Sequence, residues 1–236
     1  METVICKTIK SIPRDQWEAC RSSKAGGDPF LSYDFFCLLE SSNSVGPNTG
    51  WIPFYITFKE NNTLVGIIVS FLKTHSQGEY VFDHSWADAY QRSGANYYPK
   101  LQVAVPFTPV TGERILVRPG NENKVDAMIS STKRLVKENN ISSLHVTFCN
   151  DRFVGVARKN SLLVREGIQY HWYNRNYQSF DDFLGSLTYR KRKNIIKERK
   201  QAGSFGGEIK SLTGTQLTDF ELESFWYFYQ NTGQRK

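Results

Sequence analysis

Apolar and polar positions alternate weakly from Glu2 to Ile9 in a stretch rich in Val, Ile and Thr, which predicts a first strand. Pro13 suits the first turn of a short helix through Trp17 to Cys20. Residues 22–28, with Gly26-Gly27, read as a loop, and Ser32 is placed to cap a second helix that buries Phe35, Phe36, Leu38 and Leu39. After a polar loop over 41–50, two strands at 51–59 and 63–73 flank Glu60-Asn61-Asn62, the pattern of an antiparallel hairpin. Gly66 inside the second strand marks a bulge or a close backbone approach. A short helix near 85–92 and strands near 101–105 and 114–117 follow. Val125, Met128, Ile129, Thr132, Leu135 and Val136 hold the helical spacing until Asn139-Asn140. A strand at 143–148, a helix at 151–159 and a strand at 162–173 complete the series. This order predicts an α/β (α+β) domain, a mixed, largely antiparallel sheet flanked by helices.

A different pattern begins after Asn174-Arg175-Asn176, so the expected boundaries are 1–174 and 175–236. Ser179-x-x-Asp182 resembles a capping box, with Asp in place of Glu or Gln. Phe180, Phe183, Leu184 and Leu187 form one helical stripe, resumed at Ile195. Gly203 and Gly206-Gly207 stop the helix, 208–212 reads as a short strand, and a last helix runs from about Thr218 through Tyr229.

Composition narrows the chemistry. No window approaches the ~20 apolar residues that span a bilayer, and Met1-Glu2-Thr3 opens straight into an alternating segment, which predicts no signal peptide. Cys6, Cys20, Cys37 and Cys149 lack C-x-x-C spacing, and His84, His145 and His171 lack ligand spacing. Reduced thiols in a cytoplasmic protein without a metal site are therefore expected. A formal charge of +7 and a pI near 9.2 imply an acidic partner: a nucleotide cofactor, RNA or anionic lipid.

Residues 75–117 depart from clean alternation. His75, Glu79, Asp83, Tyr98, Lys100 and Arg114 stand directly among large aromatics. Burying a neutral polar group without a partner costs roughly 2–7 kcal/mol, so this stretch either pairs such groups internally or presents them to a ligand.

Several separated segments carry a family resemblance. Pro29-Phe30-Leu31-Ser32, Lys73-x-His75-Ser76-x-Gly78-Glu79-Tyr80-Val81-Phe82-Asp83, Tyr97-Tyr98-Pro99-Lys100-Leu101 and Val105-Pro106-Phe107-Thr108-Pro109-Val110-x-Gly112 resemble the bacterial FemAB-like proteins of peptidoglycan biosynthesis or recognition. Gln169-x-His171-Trp172-x-Asn174, Phe180-x-x-Phe183-Leu184 and Arg190-Lys191-Arg192-Lys193-x-Ile195-x-x-Glu198-Arg199 continue the match. The resemblance implies a GNAT-like acyltransferase fold over 1–174 and the start of a second GNAT-like unit over 175–236. Such proteins usually carry two GNAT-like halves, so a second half cut short is also expected.

Acyl transfer to a small-molecule or peptide amine needs a base and donors for the developing oxyanion. Glu79 and Asp83 are the candidate bases, since desolvation among aromatics raises a carboxyl pKa, with His75 as proton carrier. Tyr98, Lys100, Thr108 and Arg114 are candidate substrate contacts. The structural alternative pairs Glu79 with Lys73 or Lys100 and uses His75 to cap a strand end. A GNAT enzyme holds the acetyl-CoA or acyl-CoA pyrophosphate at a Gly-rich turn before a helix. Val117-Arg118-Pro119-Gly120-Asn121 departs from that pattern because Pro119 lacks an N–H. Seven Lys or Arg residues over 190–200 stand against Glu198 alone, so Arg190, Lys191, Arg192, Lys193 and Arg199 form either a solvated helix face or a phosphate-binding surface. Related Fem-type enzymes use aminoacyl-tRNA as donor, which makes a tRNA one such partner and Tyr177 and Tyr189 candidate stacking groups. A binding module for a wall precursor or nucleic acid is the competing reading.

Overall fold

A computed structural model of the chain describes residues 1–21 and 27–235. Of the loop expected at 22–28, residues 22–26 lie outside the described residues. Contacts divide the chain into two compact units, Met1–Gly167 and Ile168–Lys236.

In the first unit, β1 (Glu2–Cys6) leads to α1 (Arg14–Arg21) and α2 (Tyr33–Ser41), whose cap Ser32 accepts from the Phe35 N–H. Then come β2 (Trp51–Pro53), β3 (Tyr55–Glu60), β4 (Thr63–Ile68) and β5 (Ser70–Lys73). They are followed by α3 (His84–Arg92), β6 (Lys100–Val103), β7 (Ile115–Val117), α4 (Val125–Glu138), β8 (Leu144–Val146) and α5 (Asp151–Lys159).

The hairpin forms, but each arm serves two sheets. The first sheet runs β1-β3-β4-β7, wholly antiparallel; the second runs β2-β5-β6-β8, with β6 and β8 parallel. At the change of sheet, the Phe54 N–H donates to the Ser70 carbonyl at 3.0 Å. Of the two readings of Gly66 the bulge holds, and the close neighbour is a side chain rather than a backbone. The β3–β4 register shifts beside it, and a Cβ there would lie 2.4 Å from Met128 Cε.

Two apolar cores follow from this alternation. Trp17 and Phe36 meet Tyr55 edge to face on one side, and Tyr55 meets Phe71 likewise. On the other, Met128, Ile129 and Leu135 of α4 and Phe153 of α5 cover Ile56, Phe58, Ile68, Leu101 and Val103. Cys6, Cys20, Cys37 and Cys149 are all free, and burial pushes the Cys20 thiol up to about 11.

Two expected strands do not form. Residues 162–173 lack regular structure, and Leu163, Ile168 and Tyr170 are exposed. Residues 208–212 are irregular too. Alternation shapes a strand only where a neighbour accepts its ladder of N–H and C=O groups, and no described strand pairs with either segment.

The second unit holds α6 (Phe180–Gly185), α7 (Tyr189–Ala202) and α8 (Asp219–Gln234). Ser179 and Asp182 close the expected capping box. No helix among the described residues is long and apolar enough to cross a membrane.

Candidate functional site

Pairing in the second sheet aligns side chains across one face. Trp51 lies opposite Lys73, Lys73 opposite Lys100, Phe71 opposite Gln102, and Gln102 opposite His145. Side chains alternate along each strand, so these residues share a side. Lys73, Lys100 and Gln102 are fully buried there. An unpaired buried ammonium costs several kcal/mol, and the chain between β5 and β6 supplies the compensation.

Lys100 Nζ lies 2.8 Å from Glu79 Oε2, 2.5 Å from Asp83 Oδ2 and 3.1 Å from Ser76 Oγ. Tyr97 donates its hydroxyl to Asp83 Oδ2 at 2.7 Å, and the Ser76 and Tyr98 hydroxyls are 2.7 Å apart. Lys73 Nζ donates to the Gln77 carbonyl at 3.0 Å and lies 3.9 Å from the centre of the Trp51 ring. Trp51 Nε1 donates to that same carbonyl at 3.2 Å. Gln102 Nε2 donates to Thr147 Oγ1 at 3.0 Å. Glu79 Oε1, Asp83 Oδ1 and Gln102 Oε1 are buried without a hydrogen-bond partner in the protein.

The two carboxylates differ. Burial pushes the Glu79 carboxyl up, and the Lys100 ammonium offsets this only in part. Burial acts on Asp83 in the same direction, but hydrogen bonds with Lys100, Ser76 and Tyr97 outweigh it and hold that carboxyl at about 2. The desolvation expected to raise both therefore prevails only at Glu79. Burial lowers the Lys73 amine to about 8; Glu79 opposes this and Lys100 adds to it. Burial, with Lys100, lowers His145 to about 4.

Glu79, Asp83, Tyr98 and Lys100 thus converge. His75 does not join them: its Nε2 faces the Thr49 carbonyl at 3.1 Å and its Nδ1 faces the Gln77 N–H at 3.2 Å. Those neighbours need a donor at Nε2 and an acceptor at Nδ1, so the ring fastens two loop segments, a structural role other than the strand-end cap considered above. Thr108 donates to the Pro106 carbonyl within its own turn. Arg114 is buried and donates to the carbonyls of Thr147, Glu113 and Val110 at 2.7, 2.9 and 2.6 Å, so its guanidinium ties strands and loops together. Lys100 likewise spends its ammonium protons inside the protein. Gln102, Tyr97 and His145 join the cluster without having been named as site candidates, and Lys73 had entered only within a family motif and as a partner for Glu79. The available signal was Lys73 ending the apolar run Ile67-Ile68-Val69-Ser70-Phe71-Leu72.

Within the second unit, Arg190, Lys191, Lys193 and Arg199 of α7 are exposed and Arg192 is half-buried. Arg199 packs its guanidinium 4.3 Å from the centre of the Phe180 ring. Among the described residues none of these five forms an ion pair.

The turn before α4 does not fit a pyrophosphate. Pro119 has no N–H, the Asn121 N–H donates to the Arg118 carbonyl at 3.1 Å, and Glu122 places a carboxylate in the first turn. Arg118 Nε donates to the Leu64 carbonyl at 2.7 Å. Among the described residues no cluster of His, Cys, Asp and Glu could hold a metal ion.

A family model described as FemAB-like, peptidoglycan biosynthesis/recognition, matches residues 8–236. No curated protein matches the chain. One solved structure that does is the apo crystal structure of aminoglycoside antibiotic 6'-N-acetyltransferase AAC(6')-IG from Acinetobacter haemolyticus. It is 13% identical, covers 75% of this chain and 100% of its own, and superposes with a TM-score of 0.40.

Proposed function

Because the chain belongs to the FemAB-like family of peptidoglycan biosynthesis and recognition proteins, we propose that it transfers an acyl or aminoacyl group to an amine on a small-molecule or peptide acceptor tied to cell-wall precursors. The proposal includes a cytoplasmic setting, a GNAT-like domain over 1–174 and the first part of another over 175–236. One observation carries it: Glu79 is buried, raised by that burial, anchored through Oε2 to Lys100, and has Oε1 without a protein partner. A carboxylate so held is suited to take a proton from an amine as the nitrogen attacks the acyl carbonyl. The proton passes to Glu79, the N–C bond forms, and the donor's leaving group departs. Glu79 is only 4% exposed, so the amine reaches it only on a local opening of the site. Helix α3, which begins just after Asp83, has no buried residue.

The turn at 117–121 gives acyl-CoA no support, whereas the exposed cations of α7 suit the phosphates of an aminoacyl-tRNA donor. The same cations favour the second reading, a module that binds a wall precursor or nucleic acid without turnover. The test supplies radiolabelled acetyl-CoA or aminoacyl-tRNA with lysine-containing wall peptides to the wild type and to Glu79→Gln. Transfer lowered about 100-fold or more in the variant supports the base. Binding without transfer, weakened steeply by salt, replaces the enzyme reading with the module.

A further inference from the structure

Lys73 has no part in the transfer just described, yet it lies fully buried directly opposite Lys100 in the β5–β6 ladder. Like charges placed opposite each other destabilise a sheet, so the arrangement needs a reason. Lys100 is matched by Glu79, Asp83 and Ser76. Lys73 has a hydrogen bond to the Gln77 carbonyl and the face of Trp51, and neither supplies a formal negative charge.

The charge count makes Glu79 its electrostatic partner. Asp83 is held ionised by Lys100 and Tyr97. With Asp83 ionised, the four charged groups sum to zero in three ways: all ionised, or Glu79 neutral together with either Lys73 or Lys100. A proton can pass between Lys73 and Glu79 without changing the net charge of the buried cluster. Other groups packed around the pair are Lys100 on β6, Asp83 at the start of α3, Tyr97 and Tyr98 ahead of β6, and the uncharged Trp51 on β2. His145 on β8 sits one strand farther. Lys100 could trade a proton with Glu79 in the same balance, but its ammonium is also tied to Asp83 at 2.5 Å and to Ser76 at 3.1 Å, whereas Lys73 has no carboxylate bonded to it among the described residues.

We propose that Lys73 is the positioning residue of this site, its buried ammonium holding Glu79 in the carboxylate form that receives the acceptor's proton. This rests on the reading of Glu79 as the base. The lowered Lys73 amine and raised Glu79 carboxyl agree with a pair that trades one proton.

The test follows Glu79 carboxyl carbon and Lys73 side-chain signals by NMR across a pH series on the full chain. Each signal is identified by its loss on substitution, and no substrate is needed. Lys73→Met keeps the stem on Trp51 but removes the charge, and should raise the Glu79 midpoint by about one pH unit or more; Lys73→Arg should largely restore it. Reciprocally, Glu79→Gln should lower the Lys73 midpoint. An unmoved Glu79 midpoint in folded Lys73→Met overturns the proposal. If Lys73→Met does not fold, an unmoved Lys73 midpoint in Glu79→Gln overturns it instead. Should the midpoints shift while transfer ignores Glu79→Gln, the coupling stands and the base assignment falls. Should transfer need Glu79 while the midpoints stay fixed, only the role of Lys73 falls.

Discussion

Lys100→Met is the sharpest test of the buried charge cluster. The substitution keeps the apolar stem of the side chain and deletes its charged end. Glu79 Oε2 and Asp83 Oδ2, at 2.8 and 2.5 Å from Nζ, both lose their cation, and each carboxylate keeps another oxygen without a protein partner. Removing one member of a buried ion pair costs about 3–5 kcal/mol, since the remaining charge is left unpaired in a poorly polarisable interior. Two stranded carboxylates put the expected loss at the upper end of that range at pH 7. Acid should then separate this cause from mere loss of packing. In the wild type the Asp83 pKa is depressed from its usual 3.8 to about 2. Its contribution, about 2 kcal/mol, is therefore present above about pH 4 and lost as pH falls through about 2. In the variant both carboxyls are raised, so protonation relieves the folded state as pH falls and the gap to wild type narrows. Urea unfolding at pH 7 and pH 3 measures both quantities. A loss below about 1 kcal/mol, or a gap that stays constant on acidification, refutes the claim that these charges are desolvated.

Gly50→Ala should destabilise the chain by about 1–3 kcal/mol, because φ there is +71° and the new Cβ would fall 2.1 Å from His75 Nε2; thermal unfolding checks it, and an unchanged Tm would show that His75 is not fixed against that turn. Arg190→Gln, Lys191→Gln and Lys193→Gln combined should reduce the salt dependence of tRNA binding by about 0.7–0.9 in the log–log slope for each lost phosphate contact. Filter binding at several salt concentrations reads this, and an identical slope would remove α7 from any nucleic-acid surface.

Where local chemistry decides the backbone, the sequence was readable. Glu60-Asn61-Asn62 turns the hairpin with Asn61 and Asn62 at positive φ, Ser179 and Asp182 cap α6, and the helical spacing from Val125 gives α4. Partner-dependent features were not: 162–173 alternates as a strand does, yet has no strand beside it. At the site, Glu79, Asp83 and Lys100 announce themselves as charges among aromatics. Lys73 and Gln102 do not, since which way they point depends on pairing with β2, β6 and β8. Arg114 illustrates a different limit. Its acceptors are backbone carbonyls, which every residue has, so nothing in the residue names marks them.

The hairpin that crosses between sheets has a further consequence for how the first unit comes apart. Since each arm is hydrogen-bonded into both sheets, neither sheet can open alone without breaking a strand that continues into the other. The two should melt as one cooperative block, with the slowest amide exchange shared by β3, β4 and β5. Lys73, at the end of β5, inherits that block's rigidity, while α3 has little buried surface to lose.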